Sequence, residues 1–384
     1  MHHLRYRQRL LVSLIATVGQ KYIKEGYQQM TLFNFSSIPP KSVLGLDISS
    51  TAVKLIELSL SADCYTVKAC HSLPLPINTV IEKDITNVNA LAQTLKQLVV
   101  ESGTKLKNIA VAVPDVLVIT KEIELPTGLT DLQLEAQVAL EISEHIAYPI
   151  EEIAFDFDVM MPLENNQDLS KVLVTACLQK NIENLKQAID AAGFTLDAID
   201  IQSCVTERAF RLIQSQSIHD SCQLVAIADI GATSFNLTLL VDGRAIYSRE
   251  QLFGGKQLVE EIQRRYGLSW DEFCKAKYEG VLPHDYESNV LMPFKKNLIE
   301  HIIRALQIFY ASSDYNHIDQ LFLVGGLSAL QGLTCDIETA LSVPTEVANV
   351  LADMLISKEL NCSGLVDTGP AMLLAVGLAL RSFD

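Results

Sequence analysis

The segment Asp47-Ile48-Ser49-Ser50-Thr51-Ala52-Val53-Lys54-Leu55 returns 182 residues later as Asp229-Ile230-Gly231-Ala232-Thr233-Ser234-Phe235-Asn236-Leu237, with Asp, Ile, Thr and Leu at the same offsets. Each copy follows an apolar run (Val43 to Leu46; Leu224 to Ala228) and leads into another (Val53 to Leu58; Phe235 to Val241). Small residues between two such runs mark a tight turn joining two strands. One turn of this kind is an ordinary β-hairpin. Its repetition points to a chain built from two similar halves.

The residue types at the turns suit phosphate. Small residues leave backbone N–H groups open, and the hydroxyls of Ser50, Thr51, Thr233 and Ser234 add donors. Asp47 and Asp229, at the strand ends, are placed to hold Mg²⁺ through water, because Mg²⁺ dehydrates reluctantly. Two such hairpins facing each other across a cleft would clamp a nucleotide. A third element, the apolar run Gln320 to Val324 followed by Gly325, Gly326, Ser328 and Gly332, reads as strand, glycine turn and helix N-terminus. There a flat ligand face can approach the backbone closely. Taken alone, Gly-Gly after a strand is a common βα turn.

Composition narrows the class. At about 150 residues per domain, 384 residues make two or three domains. The net charge of −16 argues against sequence-independent binding to nucleic acid or anionic lipid. The eight cysteines are scattered without a CxxC, most of them in or beside apolar runs, and read as reduced core residues. The histidines form no HxxxH or HExxH, and no GxSxG is present, which speaks against a histidine metal centre and a serine nucleophile. Near the start, Arg5, Arg7 and Arg9 precede an apolar run from Leu10 to Val18 that is too short to span a bilayer. It reads as an extension upstream of a working start at Met30, or as a basic amphipathic segment touching a membrane. The first reading is preferred, because no second anchoring signal accompanies it.

Patterning places the remaining elements. Ile109 to Val113 reads as a strand stopped by Pro114. Thr130-Asp131-Leu132-Gln133 is a capping box, and Leu134, Val138, Ile142 and Ile146 make an apolar stripe up to Pro149. Lys171 to Ala176 reads as a strand, and Asn181 to Ala192 as a helix closed by Gly193. Helices are expected over Lys256 to Tyr266, Trp270 to Tyr278 and Met292 to Tyr310. The apolar tail from Pro370 to Leu380 lacks the basic face of a membrane-surface helix, so core packing is expected instead.

In this order the three glycine- and hydroxyl-bearing elements resemble the phosphate-1, phosphate-2 and adenosine motifs of the actin/Hsp70/sugar-kinase superfamily. Further stretches narrow the resemblance: Gly45-Leu46-Asp47-Ile48 with Val53 to Leu58, Glu124-Leu125-Pro126, Glu141 to Glu152, Asp156-Phe157-Asp158, and Gly369-Pro370-Ala371 with Ala375 to Ala379. From about Lys41 to Asp384 the chain is similar to the PilM family of type IV pilus assembly proteins, relatives of FtsA. The resemblance implies an α/β fold of actin-like (ribonuclease H-like) duplicated domains with an FtsA-type inserted subdomain. Residues 1–40 would be a poorly ordered extension, 41–116 and 177–221 the first domain, and 117–176 the insertion. Residues 222–368 would be the second domain, and 369–384 a helix packing back on the first.

The resemblance further implies a site for ATP and Mg²⁺. Asp47, Ser49, Ser50, Thr51 and Lys54 would serve it from the first domain, and Asp229, Gly231, Ala232 and Thr233 from the second. Gly325, Gly326 and Ser328 would flank the adenine, Gly254, Gly255 and Lys256 would face the nucleotide, and Lys277 would lie near the adenosine. Two departures bear on turnover. Relatives commonly carry Ala-Glu where this chain has Phe273-Cys274, and Cys274, read as a buried thiol, is no substitute for a carboxylate accepting from ribose hydroxyls. Gln202 is the nearest match to the acid that activates water in hydrolysing relatives, and an amide orients water without taking its proton. ATP binding with weak or no hydrolysis is therefore expected.

The partners implied are the N-terminal peptide of the inner-membrane protein PilN, in a groove between the first domain and the insertion, and other pilus assembly proteins. Self-association is left open. Nucleic acid is not expected. Contact with the membrane would be indirect, at the cytoplasmic face of the inner membrane. The alternative is a sugar-kinase-like phosphotransferase, which needs an Asp aimed at a substrate hydroxyl and a polar sugar pocket. No residue here answers to either.

Overall fold

The structure, a computed structural model, describes residues 42–163, 166–217, 223–358, 360 and 366–383. Both readings of the basic N-terminal segment lie outside the described residues. The chain divides into two compact units, one running to Gln202 and resuming at Leu378, the other spanning Ser203–Gly377.

In the first unit, β1 (Leu44–Ile48), β2 (Ala52–Ser61) and β3 (Cys64–Pro74) form an antiparallel meander. A small hairpin, β4 (Val80–Ile81) with β5 (Asp84–Ile85), leads to α1 (Val88–Ser102) and β6 (Asn108–Val113). Asn87 caps α1 by accepting from the Ala90 N–H at 3.0 Å, and Gly103, at φ +66°, ends it. Its buried Leu91, Leu95 and Leu98 face the sheet core at helical spacing.

The next segment forms its own small layer. β7 (Val118–Pro126), α2 (Asp131–His145), β8 (Ile153–Leu163) and β9 (Asn166–Leu178) give a three-stranded antiparallel sheet in the order β7-β9-β8. The capping box at Thr130 and Gln133 is formed. Val138 and Ile142 of α2 are buried with Ile123, Leu125, Phe155, Val172 and Val174. The helix ends at His145 rather than reaching Pro149, and a 3-10 turn (Ile150–Glu152) follows the proline. A proline pushes the residue before it out of the helical region, so the last turn is lost. β8 was missing from the sequence reading, although Ile153, Phe155, Phe157 and Val159 alternate as a half-buried strand requires.

α3 (Gln179–Ala191) and β10 (Thr195–Ile201) complete the first sheet, in which this unit's strands run in the order β10-β6-β1-β2-β3, with β1 parallel to β6 and β6 to β10.

After α4 (Gln202–Ser217), the second unit repeats the plan. β11 (Leu224–Ile230), β12 (Phe235–Val241) and β13 (Arg244–Gln251) form a second antiparallel meander. Four helices follow: α5 (Gly255–Tyr266), α6 (Trp270–Tyr278), α7 (Met292–Ala311) and, after β14 (Gln320–Val324), α8 (Leu333–Leu341). With β15 (Thr345–Val347) the sheet runs β13-β12-β11-β14-β15, the same order and strand directions as in the first unit. The registers match as well: Asp47 lies opposite Lys54, and Asp229 opposite Asn236.

The tail forms a 3-10 segment (Val366–Met372), α9 (Leu373–Ala379) and a last turn (Leu380–Phe383). Within the first unit Ser382 accepts from the Val43 N–H at 2.9 Å and donates to the Val43 carbonyl at 3.2 Å. Arg381 pairs with the buried carboxylate of Asp200 at 2.5 Å. No helix among the described residues is long and apolar enough to cross a membrane.

The cysteines differ from the core reading. Cys177 is buried, and burial pushes its thiol up to about 12, while Cys204, Cys274 and Cys335 are exposed. An apolar run on a helix still turns some of its positions to water, which flanking residues alone do not reveal.

Removing one partner of a buried ion pair leaves an uncompensated charge, typically worth about 3–5 kcal/mol. Arg381→Met is expected to lower stability by about that amount in urea unfolding, and Asp200→Asn added to it to recover part of the loss.

Candidate functional site

The two turns close in the same way. Ser49 N–H donates to the Ala52 carbonyl at 2.9 Å, and Gly231 N–H to the Ser234 carbonyl, its counterpart, at 3.0 Å. In the first turn the Ser49 hydroxyl adds a bond to the Ala52 carbonyl and accepts from the Ala52 N–H at 3.1 Å. Asp47, 8% exposed, is paired with Lys54 at 2.9 Å across the strands. Lys54 therefore brings a positive charge to the base of the hairpin whose turn carries Ser49, Ser50 and the exposed Thr51. An ammonium beside hydroxyls and turn amides is a favourable setting for phosphate oxygens.

In the second unit the corresponding turn is braced by backbone. Gly255 N–H donates to the Gly231 carbonyl at 3.1 Å and Lys256 N–H to the Ala232 carbonyl at 2.7 Å. The first donors of α5 thus hold the turn's carbonyls. This leaves Ala232 N–H without a hydrogen bond among the described residues, on the partly exposed turn. A Cβ on Gly254 would stand 2.5 Å from the Gly231 carbonyl oxygen, so only glycine permits this approach. The Lys256 side chain is exposed, 3.8 Å from Glu260.

At the end of β14, Gly325 has φ +90°, and a Cβ there would lie 2.5 Å from the Ile230 carbonyl oxygen and even closer to Asp229. Its N–H donates to the Pro370 carbonyl at 2.8 Å. Ser328 is buried and donates its hydroxyl to the Gly325 carbonyl at 2.8 Å, so it shapes the turn from inside. Gly326 is exposed with nothing within 4 Å of a Cβ position. The helix expected directly after this turn begins only at Leu333, and Lys295 of α7 spans the gap by pairing with Asp336 at 2.5 Å and donating to the Gln331 carbonyl at 3.2 Å.

The second unit thus packs Gly254 against Gly231 and Ala232, and Gly325 against Asp229 and Ile230, with Gly254, Gly255 and Gly325 buried and Gly231, Ala232, Thr233 and Gly326 reaching the surface. Lys277 is exposed on α6, and Cys274, one turn earlier, is exposed rather than buried, while Phe273 takes the core position. Gln202 opens α4 and is 8% exposed. Each unit by itself offers donors of the kind that phosphate oxygens accept: in the first the Lys54 ammonium and the turn hydroxyls, in the second the Ala232 N–H and the Thr233 hydroxyl. Asp47 and Asp229 offer the oxygen donors that a hard cation such as Mg²⁺ requires. Lys295 and Pro370 were missed as contributors, because their contacts join segments far apart in the chain.

A second candidate lies on the inserted layer. A groove of about 200 Å³ runs between the C-terminal half of α2 and the face of β7 and β9. Ile119, Ile123, Ile142, Ile146, Val174 and Ala176 make it apolar, with Lys121, Glu141 and His145 at its polar positions. Pockets that enclose a drug-sized ligand hold about 300–1,000 Å³, so this one suits a few side chains of a larger partner. All its residues come from the insertion, whereas the resemblance implied a groove between the first domain and the insertion. The period-two run Ile119, Lys121, Ile123 and the α2 stripe carried the signal.

A family model for the type IV pilus assembly protein PilM matches residues 45–383. The fold superposes on a solved PilM–PilN type IV pilus biogenesis complex with a TM-score of 0.72 and 27% identity, covering 90% of this chain and all of that one. It also superposes on the ethanolamine utilization protein EutJ from Carboxydothermus hydrogenoformans with a TM-score of 0.51 and 12% identity, covering 90% of this chain and 91% of that one. The latter likeness is one of fold.

The glycine geometry sets an order of effects. Gly325→Ala is expected to lose about 1–3 kcal/mol from backbone strain alone, with the overlap added. Gly254→Ala should destabilise through overlap without positive-φ strain, and Gly326→Ala should stay within about 0.5 kcal/mol of the parent in urea unfolding.

Proposed function

The chain belongs to the PilM family of type IV pilus assembly proteins, and we propose that it is an ATP-binding adaptor that docks the cytoplasmic N-terminal peptide of a PilN-type inner-membrane protein. The observation that carries the reading is the apolar groove on the inserted layer, of a size for peptide side chains, in a chain whose fold follows a PilM solved with PilN. In this reading the protein works at the cytoplasmic face of the inner membrane and reaches it through that partner. Glu141 at the groove favours a peptide with a basic residue.

ATP is proposed to bind at the duplicated turns. In the first unit the Lys54 ammonium and the hydroxyls of Ser50 and Thr51 would offer donors to phosphate oxygens, with Ser49 holding the turn through the Ala52 carbonyl; in the second the Thr233 hydroxyl and the Ala232 N–H would do so, and the exposed Gly326 would accept the flat face of the base. Asp47 and Asp229 would hold Mg²⁺ through water, where it supplies charge neutralisation for the phosphates. Gln202, an amide, supports weak or no hydrolysis.

Capture of a synthetic PilN N-terminal peptide tests the adaptor reading. The full chain is expected to bind it, and Ile119→Asp, at a half-exposed groove position, to weaken binding about tenfold or more without changing the unfolding midpoint. Absence of binding both with and without ATP would overturn the reading.

A further inference from the structure

We infer that the second unit carries a further docking surface where β13 meets α7, and that this surface takes an acidic, partly apolar segment of a partner protein on Arg249 and Arg304. It shares no residue with the nucleotide turns or with the groove on the inserted layer.

Most arginines among the described residues are tied within the fold: Arg381 to Asp200, Arg264 and Arg265 to Glu261, and Arg208 to the Gly377 carbonyl. The side chains of Arg244, Arg249 and Arg304 have no hydrogen bond or ion pair among the described residues, and all three lie on β13 or on α7. Even Glu300, one turn before Arg304, forms no ion pair with it. In a chain with 46 acidic residues against 30 basic ones, arginines left over on one strand and its covering helix call for carboxylates from outside.

The register puts Arg249 and Arg304 side by side. Tyr247, Arg249 and Gln251 stand opposite Leu239, Leu237 and Phe235, all core residues, so the three share the face that α7 covers. Two contacts fix the helix against it. The Tyr247 ring lies 5.2 Å from that of Phe309, and Gln251 Nε2 donates to the His301 carbonyl at 3.1 Å. α7 therefore runs antiparallel to β13. The rise from His301 to Phe309, about 12 Å, matches that from Tyr247 to Gln251, about 13 Å. Arg249, midway along the strand, falls opposite the turn of α7 that carries the exposed Arg304. Glu250 alternates to the other face, opposite Asn236. Tyr247 Oη and Arg249 Nε are buried without a hydrogen-bond partner among the described residues. Buried donors are almost always paired, so these two mark a partner that the chain does not itself supply. Arg249 is partly exposed as a residue and so within a ligand's reach.

The surroundings select the kind of partner. A guanidinium takes carboxylate or phosphate through its fork of donors. The net charge of −16 repels the dense phosphates of nucleic acid and anionic lipid. Ile246 on β13 and Leu252 just past its end are 47% and 67% exposed, and apolar surface of that kind is covered by protein side chains. Carboxylates interleaved with apolar side chains meet both conditions.

Fluorescence anisotropy on the full chain tests the surface, with a labelled octapeptide of alternating Glu and Val as probe and its Gln–Val counterpart as control. The acidic peptide is expected to bind at least tenfold more tightly than the control. Arg249→Gln and Arg304→Gln are each expected to weaken it about tenfold while capture of the PilN peptide stays unchanged. Arg249→Met is expected to leave the urea midpoint unchanged or raised, because the guanidinium holds nothing within the fold; a lowered midpoint would mark a structural arginine and overturn the inference. No binding of the acidic peptide at millimolar concentration, or equal binding by both Gln variants, would overturn it too and leave the adaptor reading standing. Sedimentation of the chain alone completes the test: a dimer that grows with concentration and is lost in Arg304→Gln would assign the surface to a second copy, which also overturns the partner segment.

Discussion

The backbone of the second unit approaches itself so closely at Gly254 and Gly325 that neither position admits a Cβ. That contact welds the end of β11, the start of α5 and the end of β14 into one surface, which explains why the phosphate-type turn and the glycine turn stand side by side. The first donors of α5 bind the turn's carbonyls instead of standing open. The helix start is thus a brace, and what the turn offers a ligand is its own amide and hydroxyls. In the first unit a different device stands behind the equivalent turn, the Asp47–Lys54 pair. The same strand–turn–strand has been finished in two ways, by charge in one half and by backbone in the other.

Much of this plan was legible in the residues. Apolar runs flanking small residues located both hairpins, and the second strand of the second copy, Phe235–Val241, agrees residue for residue. The capping box at Thr130 and the full extent of Trp270–Tyr278 were readable because local chemistry decides them. What escaped was long-range. Pro370 holds Gly325 through a carbonyl that any residue carries, and Lys295 reaches Asp336 across two helices, so neither leaves a local pattern. Cys274 was misjudged because Phe273 beside it takes the core position and turns Cys274 to water. The groove went unread for a related reason: it arises where the α2 stripe meets the period-two face of β7, and each pattern alone reads as core.

In the proposed reading, nucleotide and peptide have separate addresses. The turns carry the polar donors, and the insertion carries the apolar groove. An adaptor of this kind needs no catalytic base, which accords with an amide at Gln202 and with Asp200 committed to Arg381. The net charge of −16, which at first only spoke against phosphate surfaces, is compatible with the proposed docking of a peptide that carries basic residues.

The claim on which the account turns is that the duplicated hairpins bind nucleotide. Thermal unfolding of the full chain in rising ATP with Mg²⁺ tests it directly, because a ligand held by the folded state alone raises the midpoint with the logarithm of its concentration above Kd. The account predicts an upward shift that grows through millimolar ATP. A midpoint unmoved at millimolar ATP, with and without Mg²⁺, would contradict it.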